Sequence, residues 1–172
     1  MNALRSFAYR FRSIPHLANA KEAMSKALIF VKFGCFLHIT NNYFGTIALV
    51  YGPSMLPTLN LTGDIVFVER ISTRYGLAGV GDVVLARSPQ NPKRLVTKRI
   101  TAMEGDTVSF STDPMKDGVS RTVVVPKGHV WIQGDNVLQS NDSRHFGAIP
   151  YGLLQGKVVC RIWPLDGFGS LA

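Results

Sequence analysis

Two patterns of apolar spacing divide the chain near residue 50. Before it, apolar residues come as nearly continuous runs, Ala27 to Ile39 and Tyr43 to Val50, separated by Thr40-Asn41-Asn42. After it they come as short runs set off by Gly-Asp pairs at 63–64, 81–82, 105–106 and 134–135. The first three pairs open onto Ile65-Val66-Phe67-Val68, Val83-Val84-Leu85 and Thr107-Val108-Ser109-Phe110. Gly-Asp is turn chemistry, and β-branched or aromatic residues directly after a turn predict strands. Leu95 to Thr101, Thr122 to Val125, Val130 to Ile132 and Lys157 to Trp163 predict four more. No stretch beyond residue 50 repeats at 3.6 residues, so the expected fold class is all-β, a folded sheet or barrel-like domain. Residues 111–121 and 136–155 are polar and rich in Gly or Pro, which predicts loops, the second one close to the site.

The run from Ala27 to Ile39 has 13 residues, short of the roughly 20 that a spanning helix needs. Taking Ala27 to Val50 as one segment that tolerates Lys32 and His38 predicts a single, imperfect membrane anchor. In front of it stand Arg5, Arg10, Arg12, Lys21 and Lys26, opposed only by Glu22 and interspersed with Phe7, Tyr9, Phe11 and Ile14. That composition is similar to a mitochondrial targeting arm. The expected division is a basic arm over 1–26, an anchor over 27–50 and a β-rich domain over 51–172. An anchor that spans would keep the basic residues on the matrix side, with everything after Tyr51 facing the opposite compartment.

Charge narrows the partners. Of the net +8, residues 1–50 supply +5 (six Lys/Arg, one Glu) and residues 51–172 supply +3 (thirteen Lys/Arg, ten acids). Cations mixed among acids at +3 do not make the one-faced basic stripe of a phosphate-backbone binder, so no nucleic-acid partner is expected. Cys35 lies in the apolar run and Cys160 in a predicted strand, which argues against a disulfide between them.

The best nucleophile candidate is Ser54, within Tyr51-Gly52-Pro53-Ser54-Met55-Leu56-Pro57-Thr58. Pro53 and Pro57 stiffen the backbone around it and Gly52 permits a close approach, though Gly-Pro-Ser alone is common turn punctuation. A serine hydroxyl is inert until a base takes its proton. Two kinds of base are present. His129 and His145 keep a Ser-His pair open, although Arg144 beside His145 discourages its protonation. Lys98 shares one strand face with Val96 and Ile100, and burial there would lower its pKa from about 10.4 towards neutrality; a snorkelling edge lysine is the bland alternative. The segment from Gly134 to Gly147 gathers Asp135, Ser140, Asp142, Ser143, Arg144 and several amides, a composition that suits the rigid support of a site as well as a plain surface turn.

Taken in order, Gly52-Pro53-Ser54-Met55-x-Pro57-Thr58, Gly81-Asp82-Val83-Val84, Lys98-Arg99-Ile100 with Glu104-Gly105-Asp106, and Gly134-Asp135-Asn136 through Ser140-x-Asp142-Ser143-Arg144-x-Phe146-Gly147 resemble the type I signal peptidase family of Ser/Lys proteases. The resemblance runs from about residue 30 to the C-terminus. Lys32-Phe33-Gly34-Cys35, Gly128-His129-Val130-Trp131 and Ile149-Pro150-Tyr151-Gly152-Leu153 are most similar to the mitochondrial inner membrane branch, to its first catalytic subunits. It implies a signal-peptidase-like serine protease domain with Ser54 as nucleophile and Lys98 as general base, then general acid. It further implies that Ser140 orients the lysine, Asp142 and Arg144 pair beneath the site with Asp135 in support, and Met55 lies beside the substrate cleft. The oxyanion donors would be the amides of Ser54 and Gly52. No metal or organic cofactor is implied. The implied partners are presequence-bearing precursors bound for the intermembrane space, a second catalytic subunit and inner-membrane lipid. Leu56 and Thr101-Ala102 depart from the family pattern, where Glu and Ile-Gly are common. A catalytically silent subunit of the same fold, or a signal peptidase of another membrane, are the alternatives; retention of Ser54, Lys98 and Ser140 speaks against the first.

Overall fold

The structure, a computed structural model, describes residues 15–111 and 120–171. The chain divides into two compact units, Met1–Thr40 and Asn41–Ala172. In the first, helix α1 (Pro15–Ile39) begins on a proline, whose fixed φ suits a first helical turn and whose missing N–H is not needed there. Leu28, Ile29, Phe30 and Val31 point in four successive directions around the helix, and all four are exposed. A helix that is apolar on every side and has no protein face to cover it matches lipid rather than a soluble core. With the π-helical turn Thr40–Phe44 that follows, the stretch Asn19–Phe44 is long and apolar enough to cross a membrane. Its 26 residues rise about 39 Å, against a hydrocarbon core of about 30 Å.

The boundaries differ from the sequence-based expectation at both ends of this segment. The helix starts at Pro15 and so takes in part of the expected basic arm, whose residues 1–14 lie outside the described residues. The second apolar run does not continue the anchor. Gly45–Val50 is strand β1, paired antiparallel with β2 (Asp64–Glu69) from Gly45↔Glu69 to Val50↔Asp64. Its side chains alternate, Val50 buried and Ile47 and Leu49 exposed, a period of two that apolarity alone conceals.

The second unit is β-rich, as its turn-then-strand pattern predicts. After β2 and the short helix α2 (Ile71–Arg74) come β3 (Val83–Arg87), β4 (Leu95–Ala102), β5 (Thr107–Phe110), β6 (Arg121–Val124) and β7 (His129–Gln133). Helix α3 (Ser143–Phe146), β8 (Ile149–Pro150), β9 (Leu154–Trp163) and β10 (Gly169–Ser170) complete it. The main sheet runs β1-β2-β9-β3-β4-β7-β8, with β10 on β9, and its pairings are antiparallel; β5 and β6 form a separate hairpin. Long β9 makes this order possible by pairing with both β2 and β3. Of the two expected loops, residues 112–119 lie outside the described residues, and 136–155 contains α3 and β8. One core cluster gathers Val50, Met55, Leu59, Val66, Val68, Val83, Leu85 and Val158; a second holds Val84, Ala86, Ile100, Val130 and Ile132. Cys35 and Cys160 are both free thiols.

Candidate active site

Ser54 sits at the centre of a single 3-10 turn, Pro53–Met55, entered through Gly52 at φ 113°, a conformation that favours glycine. Pro53 occupies the first helical position. Met55 anchors the turn from below at 2% exposure within the first core cluster, where it accepts the Leu59 N–H on its carbonyl at 2.9 Å. Met55, expected beside the substrate cleft, thus has its own side chain enclosed beneath the Ser54 turn. A correction concerns Gly52, whose N–H donates to the Leu61 carbonyl at 2.7 Å and is therefore not free for an oxyanion.

The turn packs against β4, the strand that carries Lys98. The two-residue period holds there as expected: Lys98 is 3% exposed between Val96 and Ile100, opposite Val84 on β3. Burial lowers its pKa to about 8; the neighbouring Asp142 carboxylate opposes the shift, while the Arg144 and Arg94 cations add to it. The bland alternative, a lysine snorkelling from an edge, does not hold, since β4 lies between β3 and β7.

The loop after β7 wraps this pair. Gly134 has no side chain, and a β-carbon there would collide with both Ser140 Oγ and the Ser54 carbonyl oxygen, so the glycine is what lets these two groups come together. Asn136 clamps the Ser54 turn with its backbone N–H on the Ser54 carbonyl and its side-chain amide on the Pro53 carbonyl, each at 3.1 Å. Ser140 Oγ donates to Asp142 Oδ2 at 2.6 Å, which leaves its lone pairs to accept from an amine. Asp142 is fully buried. Besides Ser140 it accepts from the Gly134 N–H at 2.9 Å and from Arg144 Nε and Nη2 at 2.9 and 2.6 Å. Burial alone would raise its carboxyl, but Arg144, Ser140 and these backbone donors outweigh burial and hold it below the usual range.

Asp135 ties three segments. It takes Arg99 Nε and Nη2 at 3.0 and 2.9 Å from β4, and the Thr58 hydroxyl from the chain just after the nucleophile turn. Burial again works against the charged form, and the Arg99 and Thr58 hydrogen bonds keep its pKa lowered. Arg99 also donates to the Gly81 carbonyl at 2.7 Å. Sequence reasoning treats Arg99 only as a cation on the far face and gives Thr58 no role, because their partner is 36 and 77 residues away. It also misses a second brace: buried Asp64 accepts from the Asn60 N–H and side-chain amide at 2.7 and 2.9 Å, while Arg161 reaches the Thr58 carbonyl. An acid following Gly63 reads as turn punctuation, which hides that role. His129 and His145 line a separate cavity whose lining does not include Ser54, so the Ser-His alternative gains no support.

A buried strand lysine near neutrality, beside a rigid serine turn and a carboxylate-bound hydroxyl, can transfer protons to and from a serine oxygen. The chain is also similar to several known proteins. A mitochondrial ATP-independent inner membrane protease subunit 1a of Arabidopsis thaliana is 57% identical over 88% of this chain and 90% of its own length. Mitochondrial inner membrane protease subunit 1 of Homo sapiens is 43% identical over 82% and 83%. Subunit 2 of the Saccharomyces cerevisiae enzyme is 30% identical over 88% and 87%. A solved signal peptidase I from Enterococcus faecalis V583 is 22% identical with TM-score 0.41, covering 48% of this chain and 97% of that one. The model of the family described as signal peptidase, peptidase S26, matches residues 22–117 and 111–163, and on that match the chain belongs to the signal peptidase family of serine peptidases.

Proposed function

We propose that this signal peptidase family member cuts peptide bonds with Ser54 as nucleophile and Lys98 as its proton carrier. The observation that carries the reading is Lys98 itself, 3% exposed with a pKa near 8, on the strand against which the Ser54 turn packs. In the first step neutral Lys98 takes the hydroxyl proton as Ser54 Oγ attacks the scissile carbonyl. The lysine then returns that proton to the departing amine as the acyl-enzyme forms. Water, deprotonated by the same amine, releases the new carboxylate and restores the serine. Ser140 and Asp142 act on the lysine rather than on the substrate, the hydroxyl holding it and the carboxylate tuning its charge. The Ser54 amide serves as one oxyanion donor; with Gly52 engaged by Leu61, the other comes from elsewhere.

By likeness to relatives named as mitochondrial inner membrane proteases, the site belongs to that membrane, with the catalytic unit facing the intermembrane space. Its substrates are the sorting presequences of precursors delivered there. The subunit 2 relative implies a heterodimer. The test is presequence cleavage by the full chain with its second subunit, comparing wild type with Ser54→Ala and Lys98→Met. Loss of cleavage in both, with melting behaviour retained, is expected. Cleavage that persists in either variant would overturn the dyad.

A further inference from the structure

The peptide group that joins Pro53 to Ser54 carries the Pro53 carbonyl on one side and the Ser54 N–H on the other. It is trans and planar, so the N–H points away from the carbonyl and whatever fixes one fixes the other. The Ser54 N–H stands at the second position of the 3-10 turn Pro53–Met55, where a helix start has no acceptor of its own. Among the described residues no backbone hydrogen bond takes it, and Ser54 is half-exposed.

The Pro53 carbonyl, by contrast, is held twice. The Leu56 N–H donates to it at 3.3 Å within the turn, and the Asn136 side-chain amide donates at 3.1 Å from the loop after β7. Asn136 is half-buried, and its Oδ1 accepts the Leu138 N–H at 3.3 Å. Those two contacts settle which end of the amide faces Pro53, since a carbonyl needs the NH2 and an N–H needs the Oδ1. The side-chain bond is not needed to attach the loop, because the Asn136 backbone N–H already holds the Ser54 carbonyl. Its distinctive effect falls on the peptide group that bears the Ser54 N–H. A donor on a peptide carbonyl restrains the plane and draws electrons towards the oxygen, which strengthens the N–H across the group by about 10–30%. Both effects count where negative charge develops during attack, because donors fixed in advance stabilise it without reorganising.

We propose that Asn136 is a positioning residue for the oxyanion. Through the Pro53 carbonyl it aims and strengthens the Ser54 N–H towards the oxygen that becomes negative. The proposal rests on the reading of Ser54 as nucleophile. With the Gly52 N–H engaged by Leu61, the Ser54 amide carries a larger share of that charge, and its aim matters more.

The test follows presequence cleavage by the full chain with its second subunit, with Ser54→Ala as reference. Asn136→Leu keeps the branched outline with neither donor nor charge, and Asn136→Asp keeps an acceptor for Leu138 while losing the donor. Each is expected to lower kcat about 10- to 100-fold, less than the roughly 10²–10³-fold lost with a donor that touches the oxyanion. KM is expected to stay within about twofold. Two inhibitors separate aim from attachment. A presequence peptide ending in an aldehyde forms a hemiacetal: the serine oxygen bonds to the carbon, the C=O π bond opens, and the serine proton ends on the former carbonyl oxygen by way of Lys98. The same peptide ending in an alcohol cannot add. Aldehyde Ki is expected to weaken in proportion to kcat in both variants, while alcohol Ki and melting stay as in wild type. In Asn136→Leu the pH limb near 8 is expected to stay in place, since the lysine is untouched. Equal weakening of aldehyde and alcohol, an unchanged kcat, a shifted limb, or loss of the folded state in both variants overturns the proposal. Those outcomes leave the dyad standing if Ser54→Ala is inactive, whereas cleavage retained by Ser54→Ala overturns the dyad and this proposal together.

Discussion

At 3% exposure the Lys98 ammonium has lost most of its hydration, and that loss drives its pKa down to about 8 from 10.5. Between those two values the unfolded chain holds more protons than the folded one, so this group makes stability rise with pH across that window. The gain amounts to at most about 3 kcal/mol. Lys98→Met is expected to flatten the rise, which denaturant midpoints measured at pH 7.5 and pH 10 will reveal. The same protonation governs rate: cleavage climbs with pH through about 8 as the neutral amine accumulates, a limb that kcat measured against pH displays. Ser140 is a positioning residue for that limb. Ser140→Ala removes a donor from Asp142, leaves its negative charge less satisfied and so favours the ammonium nearby. The limb is expected to move to higher pH and kcat to fall about tenfold or more, in the range of lost general-base positioning. A limb that stays in place in Ser140→Ala would assign the hydroxyl a purely structural part.

The strands hold the site through pairs that join distant segments, and Asp135 is the clearest. Arg99, at 26% side-chain exposure, and Thr58 both converge on it, linking β4, the loop after β7 and the chain beyond the nucleophile turn. Asp135→Asn leaves Arg99 half-buried without its charge partner, at an expected cost of about 1–3 kcal/mol in urea unfolding. Because Thr58 loses its anchor too, kcat is expected to fall with KM little changed. Gly134→Ala acts at the same joint: a methyl group would collide with both the Ser140 side chain and the Ser54 carbonyl oxygen, so it should abolish most cleavage and lower stability as well. These elements were unequally legible in the sequence. The strands were, because an antiparallel sheet writes its alternation locally, and Val96, Lys98 and Ile100 announce a buried lysine within five residues. β1 was not, since a six-residue stretch with four apolar side chains following a helix reads alike as anchor or strand. The clasp of Arg99, Thr58 and Asp135 was not either, because its members meet only when β4 and β7 pair. Gly52 failed as an oxyanion donor for a related reason: motif position gives identity but not which partner a backbone N–H already has.

Across the whole chain the two units differ in what covers their apolar surface. The three core clusters draw all their buried residues from Asn41–Ala172, and the Ser54 turn, Lys98 and the Asp135 and Asp142 networks lie there as well. Met1–Thr40 contributes a helix whose described apolar residues are exposed on every side. The core clusters and the candidate site therefore lie in one unit, and the other carries most of the candidate membrane span. The charge split repeats the division, since +5 of the +8 lies in the first fifty residues. A chain begun at Asn41 is expected to keep the unfolding free energy of the full protein within about 1 kcal/mol in urea titrations, because the cut crosses no core cluster. It is expected to cleave a soluble presequence peptide with kcat close to that of the full chain. In cells it should appear in the alkaline-carbonate supernatant, whereas the full chain stays in the membrane pellet. A shortened chain that is folded but inactive would mean that the removed segment serves cleavage as well as anchoring.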